Sequence, residues 1–421
     1  MMSMKTPSYV TEPTIPPASM PARIQAFTGI LKKDLDKVFL VGGCVRDLLS
    51  GRDPDDIDLL AVLPPKRLLD LGFTYVDPKT TIPVFTMHRE EFGKIEIALP
   101  RGEGSGPDTT SCVREDLRRR DFTINAMACR LSTGELIDPF NGRRDLADRI
   151  VRHVSQAFAE DPLRVFRAFR FACKGFTIAP ETMDLIRTMD PELQHIPPER
   201  IYNEMMKAMA GERPERFFIY LVKTGVSRDV FREIYRMLDV VAGPPEYHPE
   251  GSTFNHAVNV LKFVAGRTRC RYTRLAAFLH DIGKVETPEE ELPRHIDHEK
   301  RGIEVVQRFL NRLKADNRCR KVCTEITRHH MRAERFRHMR RGKQMRFVNA
   351  LHKMDLIDPL LHVVEADYGK DISPTVAPFR EVAGYNTAEL GLSPEDFEGK
   401  SGEQIQNLIL QRQLERLAPG D

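Results

Sequence analysis

Asp56 and Asp58 lie two residues apart in DDIDLL, a run of strand character, so both carboxylates leave the backbone on the same side. Placed together they can grip hard, oxygen-seeking cations, with room for two metals. Glu96, in KIEIAL, stands among apolar neighbours where an unpaired buried carboxylate would be costly, which points to a third metal-facing carboxylate on an adjacent strand. Its alternative is a solvent-facing Glu on an edge strand. Just upstream, Gly42 and Gly43 end the apolar run KVFLV before a helical pattern, where exposed amides could receive phosphate oxygens and Arg46 would add a positive charge. A Gly pair before a helix is also an ordinary tight turn.

Two further constellations follow. In EDPLRVFR, Asp161 and Arg164 are three apart in a helical pattern and Arg167 continues the same side, giving a polar wall. A carboxylate that accepts from an exocyclic amine, beside guanidinium groups that donate to ring nitrogens or carbonyls, can imitate the Watson–Crick edge of a base. The alternative is a surface salt bridge worth about 0.2–0.5 kcal/mol. Later, His256, the adjacent His280 and Asp281, and Asp367 fall on three separate helical patterns in the order H, HD, D. Ligands from separate helices are how a helical bundle builds a metal site. His295, His298, His329 and His330 could extend that site or orient a phosphate, or stand as ordinary surface or core residues.

The elements that must carry these residues divide the chain. Strand, turn and helix patterns over residues 36–150 predict an α/β head. Apolar residues at three- and four-residue intervals predict an all-helical body over 151–245. Pro244 and Pro245 suggest a linker, after which a second helical domain runs over 246–421. Residues 1–35, rich in Pro, Ser and Thr, read as a disordered tail. With 421 residues the chain is long enough for several domains, and the fold class is α+β. No run approaches the roughly 18–20 apolar residues of a membrane span, which excludes a spanning protein. Seven scattered cysteines without a second close pair fit a reduced, cytoplasmic chain.

Taken in order, GGCVRD, DDID, RRDFTINAMA at 119–128 and EDPLRVFRAFRFA at 160–172 resemble the class II tRNA nucleotidyltransferase and poly(A) polymerase superfamily. The similarity is strongest to the bacterial CCA-adding enzymes with an appended HD domain, because YHPEG and HDIGK are also shared, and it covers nearly everything after residue 36. The resemblance implies a polymerase β-like head in which Gly43 and Arg46 contact the incoming nucleotide. Arg120 joins those contacts, and Asp56 and Asp58 hold two magnesium ions (Mg2+), with Glu96 kept as the further catalytic candidate from its own position. It implies that Asp161, Arg164 and Arg167 admit CTP and ATP and reject UTP and GTP, with tRNA as the acceptor. For His256, His280, Asp281 and Asp367 it implies a metal-dependent phosphohydrolase with 2′,3′-cyclic phosphodiesterase, 2′-nucleotidase and phosphatase activities, served by a divalent transition metal such as Ni2+ or Mn2+. A homodimer is left open.

Three other readings remain. The segment between KIEIALP and RRD is shorter than the flexible loop tied to the switch from C to A addition, which favours a CC-adding or A-adding specialist; residues 101–118 would still form a mobile loop. A poly(A) polymerase shares the head motifs, and the HD domain could be the working enzyme. Finally, Arg312 to Arg346 holds 13 Lys and Arg against 3 Asp and Glu within a chain of net charge +3, a stretch suited to an RNA backbone or to a solvated helical face.

Overall fold

Val38 and Leu40 point to one side of the strand Val38–Val41 (β1) and Phe39 and Val41 to the other, and all four are buried. A strand that is apolar on both sides must be covered on both. β1 is accordingly near the middle of a seven-stranded mixed sheet of order β3-β4-β5-β2-β1-β6-β7. The others are Ile57–Ala61 (β2), Thr74–Val76 (β3), Val84–Arg89 (β4), Gly93–Ala98 (β5), Ala128–Arg130 (β6) and Leu136–Ile137 (β7). Only β2 and β5 pair in parallel, with Asp58 opposite Glu96. One face packs Ile57, Leu59, Ile95 and Ile97 beneath the helix Ala22–Leu31. On the other face Phe39, Val41 and Leu60 meet Val113 and Leu117 of the helix Thr109–Arg118.

The computed structural model describes residues 14–76, 83–100 and 109–417, and the side chains of 109–111 lie outside that description. The chain forms two compact units: Met1–Phe171 with Gly175–Met189, and Ala172–Lys174 with Asp190–Asp421. The tail expected to be disordered over 1–35 is ordered where described. Thr14 bridges to Glu135, and Ile24, Phe27 and Leu31 are fully buried. Phe27 meets the rings of Phe73 and Phe92 edge-on at 6.1 and 5.6 Å. The reason is the three- and four-residue apolar spacing in ARIQAFTGIL, which makes one face of a helix despite the Pro-rich surroundings; residues 1–13 lie outside the described residues. Likewise the loop expected over 101–118 becomes the helix Thr109–Arg118 in its second half, while 101–108 are not described.

The two compact units are a division by packing, and their limits fall at other residues than the 150 and 245 read from the sequence pattern. Ile150–Val151 pairs in parallel with Thr177–Ile178, so the first unit continues through the helix Arg164–Cys173 as far as Phe171 and resumes at Gly175. In the second unit the helices Pro198–Met209, Thr253–Arg267, Arg271–Leu279, His298–Arg312, Asn317–Glu334 and Ile357–Tyr368 surround a common core. The side chain of Arg274 is fully buried and donates to the carbonyls of Met209, Gly211, Ala265 and Thr268 at 2.7–2.9 Å. The expected linker at Pro244–Pro245 is also held. Lys284 Nζ donates to Ala242 O at 2.7 Å, and Val241 O accepts from Thr253 Oγ1 at 3.0 Å, so the backbone carbonyls beside the prolines are anchored to the helices that follow.

Candidate active sites

In the head, Asp56, Asp58 and Glu96 occupy one face of the sheet. Asp58 and Glu96 are register neighbours on β2 and β5, and Asp56 immediately precedes β2 with the same parity as Asp58. β5 is an interior strand, so Glu96 is not on a sheet edge. Its side chain is nonetheless exposed and its Oε1 is 2.5 Å from Lys94 Nζ. Asp58 also keeps a path to solvent, but the surrounding protein removes enough water to raise its carboxyl pKa. Asp56 and Glu96 push in the same direction, and the guanidinium groups of Arg120 and Arg46 oppose them. Three carboxylates on one face, one of them partly desolvated by the protein, favour a bound cation.

The Gly pair has a steric reason. Gly42 has φ +66, and a Cβ there would lie 2.8 Å from a guanidinium nitrogen of Arg120; a Cβ on Gly43 would lie 3.3 Å from one of Arg46. Two arginines therefore close over the turn between β1 and the helix Gly43–Leu49. Arg46 is steadied by Asn125 Oδ1 at 2.5 Å and by Asp47 at 3.2 Å, Arg120 by Asp116 at 3.1 Å. With the carboxylates on one side and fixed guanidinium groups on the other, the geometry suits a polyphosphate bridged by cations.

Asp161, Arg164 and Arg167 do not share one helical face as expected. Asp161 lies in the turn before the helix Arg164–Cys173, where its Oδ1 accepts from the Leu163 amide at 3.3 Å, because Pro162 and Leu163 form the approach to the helix. Arg164 is buried and donates to the carbonyls of Ala157 and Arg119 at 2.6 and 2.8 Å. Arg167 donates twice to Asp121 Oδ2, at 2.9 and 2.6 Å. Asp121 also accepts from Asn125 Nδ2 and the Phe122 amide. Burial alone would raise its pKa, but Arg167 and these donors hold it below the usual carboxylate value. Asn125 thus ties Arg46 to Asp121 and Arg167, a partly buried network that the sequence motifs did not reveal.

In the second unit the expected four ligands come together. His256, His280, Asp281 and Asp367 offer donor atoms that all lie within 4.8 Å of one another. His256 Nε2 is 3.0 Å from Asp367 Oδ1 and 3.5 Å from Asp281 Oδ2; His280 Nε2 is 3.6 Å from Asp367 Oδ2 and 3.4 Å from Asp281 Oδ2. Both rings are aimed from behind, His256 by Nδ1 against Glu250 Oε1 at 2.7 Å and His280 by Nδ1 against Ala277 O at 2.8 Å. With Nδ1 carrying the hydrogen, each Nε2 is left as a lone pair facing the cluster. His280 Nε2 is buried without a hydrogen-bond partner, the orphaned atom expected of a metal ligand. Burial alone would lower the His280 pKa, yet the Asp281 and Asp367 carboxylates raise it to about 10, the mark of a pocket whose negative charge favours a cation.

Asp281 faces both ways. Its Oδ1 is 2.9 Å from His298 Nε2 and 3.4 Å from His330 Nε2, and these three form a second group of donors within 4.8 Å. His298 and His330 are likewise aimed by Nδ1, at His295 O and Thr327 O. Gly283 permits this approach: a Cβ there would lie 2.1 Å from His298 O and 2.6 Å from Gly302 Cα. His295 supports the wall through Val241 O and Thr287 Oγ1, whereas His329 turns aside to Glu325 at 3.3 Å. Lys284, 2.6 Å from Asp281 Oδ2, and Glu250 are the residues that motif reading missed. Glu250 stood in the quoted YHPEG, six residues before His256, a spacing that only the turn into the helix brings together. Among the described residues, every group of three or more metal-capable side chains gathered within 4.8 Å lies in this unit.

Comparison with known proteins matches residues 38–152 to the poly A polymerase head domain, 175–238 to the probable RNA and SrmB-binding site of polymerase A, and 253–368 to the HD domain. The multifunctional CCA protein of Alkalilimnicola ehrlichii is 37% identical over 348 residues, 79% of this chain and 83% of the relative. That of Acinetobacter baumannii is 34% identical over 406 residues, 91% and 97% of the two chains. The Bacillus stearothermophilus CCA-adding enzyme in complex with CTP superimposes with a TM-score of 0.64 at 24% identity, over 92% of this chain and 88% of its own. The Thermotoga maritima CCA-adding enzyme complexed with tRNA gives 0.64 at 19%, over 94% and 92%. At those identities the two structures speak for the fold alone.

Proposed function

Because the chain belongs to the family of multifunctional CCA proteins, which join a poly A polymerase head to an HD domain, we propose that it completes the CCA end of tRNA from CTP and ATP without a nucleic-acid template and trims phosphorylated RNA ends at its HD centre. The observation that carries the first activity is the shared face of Asp56, Asp58 and Glu96 beside Arg46 and Arg120. Magnesium held by these carboxylates would sharpen the attacking 3′ hydroxyl and neutralise the leaving pyrophosphate. The chain itself supplies the rest. Gly42 and Gly43 leave room for the arginines, Arg46 and Arg120 bind and orient the triphosphate, and the carboxylates fix the cations without having to accept a proton. Asp161, Arg164 and Arg167 read the base, with Asp121 holding Arg167 and the Ala157 and Arg119 carbonyls holding Arg164.

At the HD centre, His256, His280, Asp281 and Asp367 fit one divalent transition metal such as nickel or manganese, and Asp281 with His298 and His330 fits a second. A metal there would polarise the phosphate for attack by water. Glu250 and the backbone carbonyls keep the imidazoles pointing inward, and Lys284 holds Asp281 ionised. The work is cytoplasmic, where tRNA ends are matured; among the described residues no helix is long and apolar enough to cross a membrane.

The deciding experiment offers CTP, ATP or both, with magnesium, to tRNA ending before CCA and at CC. A complete CCA end is the expected product. Arrest after CC would assign a CC-adding specialist, extension only of the CC substrate an A-adder, and long adenylate tails a poly(A) polymerase.

A further inference from the structure

Two cavities in the second unit meet at the HD centre. The smaller, about 490 Å³, contains Asp281 and Asp367 and is rimmed by Tyr247; the larger, about 820 Å³, runs outward over the end of the helix Asn317–Glu334 and the start of the helix Arg341–Lys353. They share His295, His298, Arg294 and Met331, so the outer groove opens onto the wall of the metal cluster. Its lining carries five exposed cations, Arg294, Arg332, Arg335, Lys343 and Arg346, against Asp297 and Glu299. Asp297 is already paired with Lys300 at 2.9 Å.

The basic stretch is therefore not uniform in use. Arg312 pairs with Glu233, Lys314 with Glu199 and Arg328 with Glu325. By contrast Arg294, Lys343 and Arg346 have no acidic partner among the described residues, and Arg335 reaches Glu334 only at 3.9 Å. Lys343 and Arg346, three apart on one helix, present their charges on the same side. Unpaired like charges around a groove repel one another and are retained where a polyanion relieves them. Two exposed apolar groups accompany them, Tyr247 at 81% exposure on the rim of the inner cavity and Ile296 at 57% in the outer one. Aromatic and apolar faces beside a cationic track are the components of single-stranded nucleic-acid binding.

We propose that this groove holds the phosphates of the RNA strand immediately upstream of the 3′ end presented to the HD centre, with Tyr247 offering a stacking face to a terminal base. The HD centre is then a site for RNA termini in preference to free nucleotides. This rests on the phosphohydrolase reading of that centre and adds to it the surface that selects the substrate.

The test compares the full-length protein with the Lys343→Ala/Arg346→Ala double variant on two probes, a 2′,3′-cyclic mononucleotide and a tetraribonucleotide ending in a 2′,3′-cyclic phosphate. The wild type should favour the tetranucleotide, and the double variant should lower the ratio of kcat/KM for tetranucleotide over mononucleotide by about tenfold or more, through KM. The salt dependence for the tetranucleotide should become shallower by about 0.7 per charge removed. A ratio that stays within about twofold of wild type overturns the groove, as does an equal loss on both probes, which would mark the two residues as structural supports. If the wild type hydrolyses neither probe, the phosphohydrolase reading fails separately. Fluorescence anisotropy of the labelled tetranucleotide then decides the groove, supported by weaker binding to the double variant and overturned by equal binding or by capture of an acidic peptide alone.

Discussion

The two metal-capable regions are built on opposite plans. In the head the carboxylates of Asp56, Asp58 and Glu96 stay open to water on a sheet face, and Glu96 spends its charge on Lys94. In the HD centre His256, His280, Asp281 and Asp367 are withdrawn from solvent and each imidazole is aimed by a second hydrogen bond. A buried cluster of this kind must be assembled by the fold, since nothing else could pay for the desolvation of two carboxylates. An open carboxylate face can wait for its ligand to complete it, which suits a cation that arrives with a nucleotide and leaves with pyrophosphate. The contrast is between an open carboxylate face and a closed cluster whose imidazoles are each held from behind.

The strongest way to break this comparison is to remove one carboxylate from each region. Asp58→Ala should lower nucleotide addition by on the order of a thousandfold or more while the HD centre continues to hydrolyse a 2′,3′-cyclic mononucleotide. Loss of both activities would refute their independence. Asp281→Asn, an isosteric change that spares packing, should do the converse and lower hydrolysis by at least on the order of a hundredfold, with metal content by mass spectrometry falling alongside. The contrast is sharpened by Glu250→Ala. Releasing His256 Nδ1 should weaken metal affinity about 10–100-fold in a chelator competition, with addition by the head unaffected. An unchanged affinity would mean that the ring needs no such support.

The smallest effect concerns the network behind the head. Asp121→Asn should destabilise the protein by about 2 kcal/mol near neutral pH, discounted from the full value of a buried pair because Arg167 is partly exposed. The folded-state pKa of Asp121 is depressed, so its contribution is present above the unfolded carboxylate value and is lost as pH falls through the folded one. Urea unfolding of the two proteins should therefore converge in acid; a constant difference down to pH 2 would contradict the assignment.

Period-two spacing placed Asp56 and Asp58 on one side, and the alternation in KIEIAL put Glu96 on a strand, because a strand's geometry is local. What spacing could not supply was the register that sets Asp58 opposite Glu96, or the pairing of Glu96 with its near neighbour Lys94. The H, HD, D order picked out four residues that the fold gathers, since His256 and Asp367 sit on apolar-patterned helices and His280 and Asp281 directly follow the helix Arg271–Leu279, one step past the helical pattern expected to carry them. Glu250, Lys284 and Asn125 escaped because their roles depend on turns and on groups far apart in the chain. The wall of Asp161, Arg164 and Arg167 shows the same limit: i to i+3 spacing assumes a helix already begun, and this one begins at Arg164. Composition misjudged the N-terminal segment, where three buried side chains on one face of a short helix outweighed the prolines.

Arg274 changes what counts as a module in this molecule. One guanidinium, with no water left around it, ties the carbonyl ends of the helix Pro198–Met209 and of the helix Thr253–Arg267 into a single knot. A chain cut at the Pro244–Pro245 dipeptide would strip away Met209 and Gly211 and leave that charge half-unanswered in the core. The packed unit is therefore the stretch from Asp190 onward, helices of the body included, and a cut at the proline pair would take from a buried charge two of the four carbonyls that answer it.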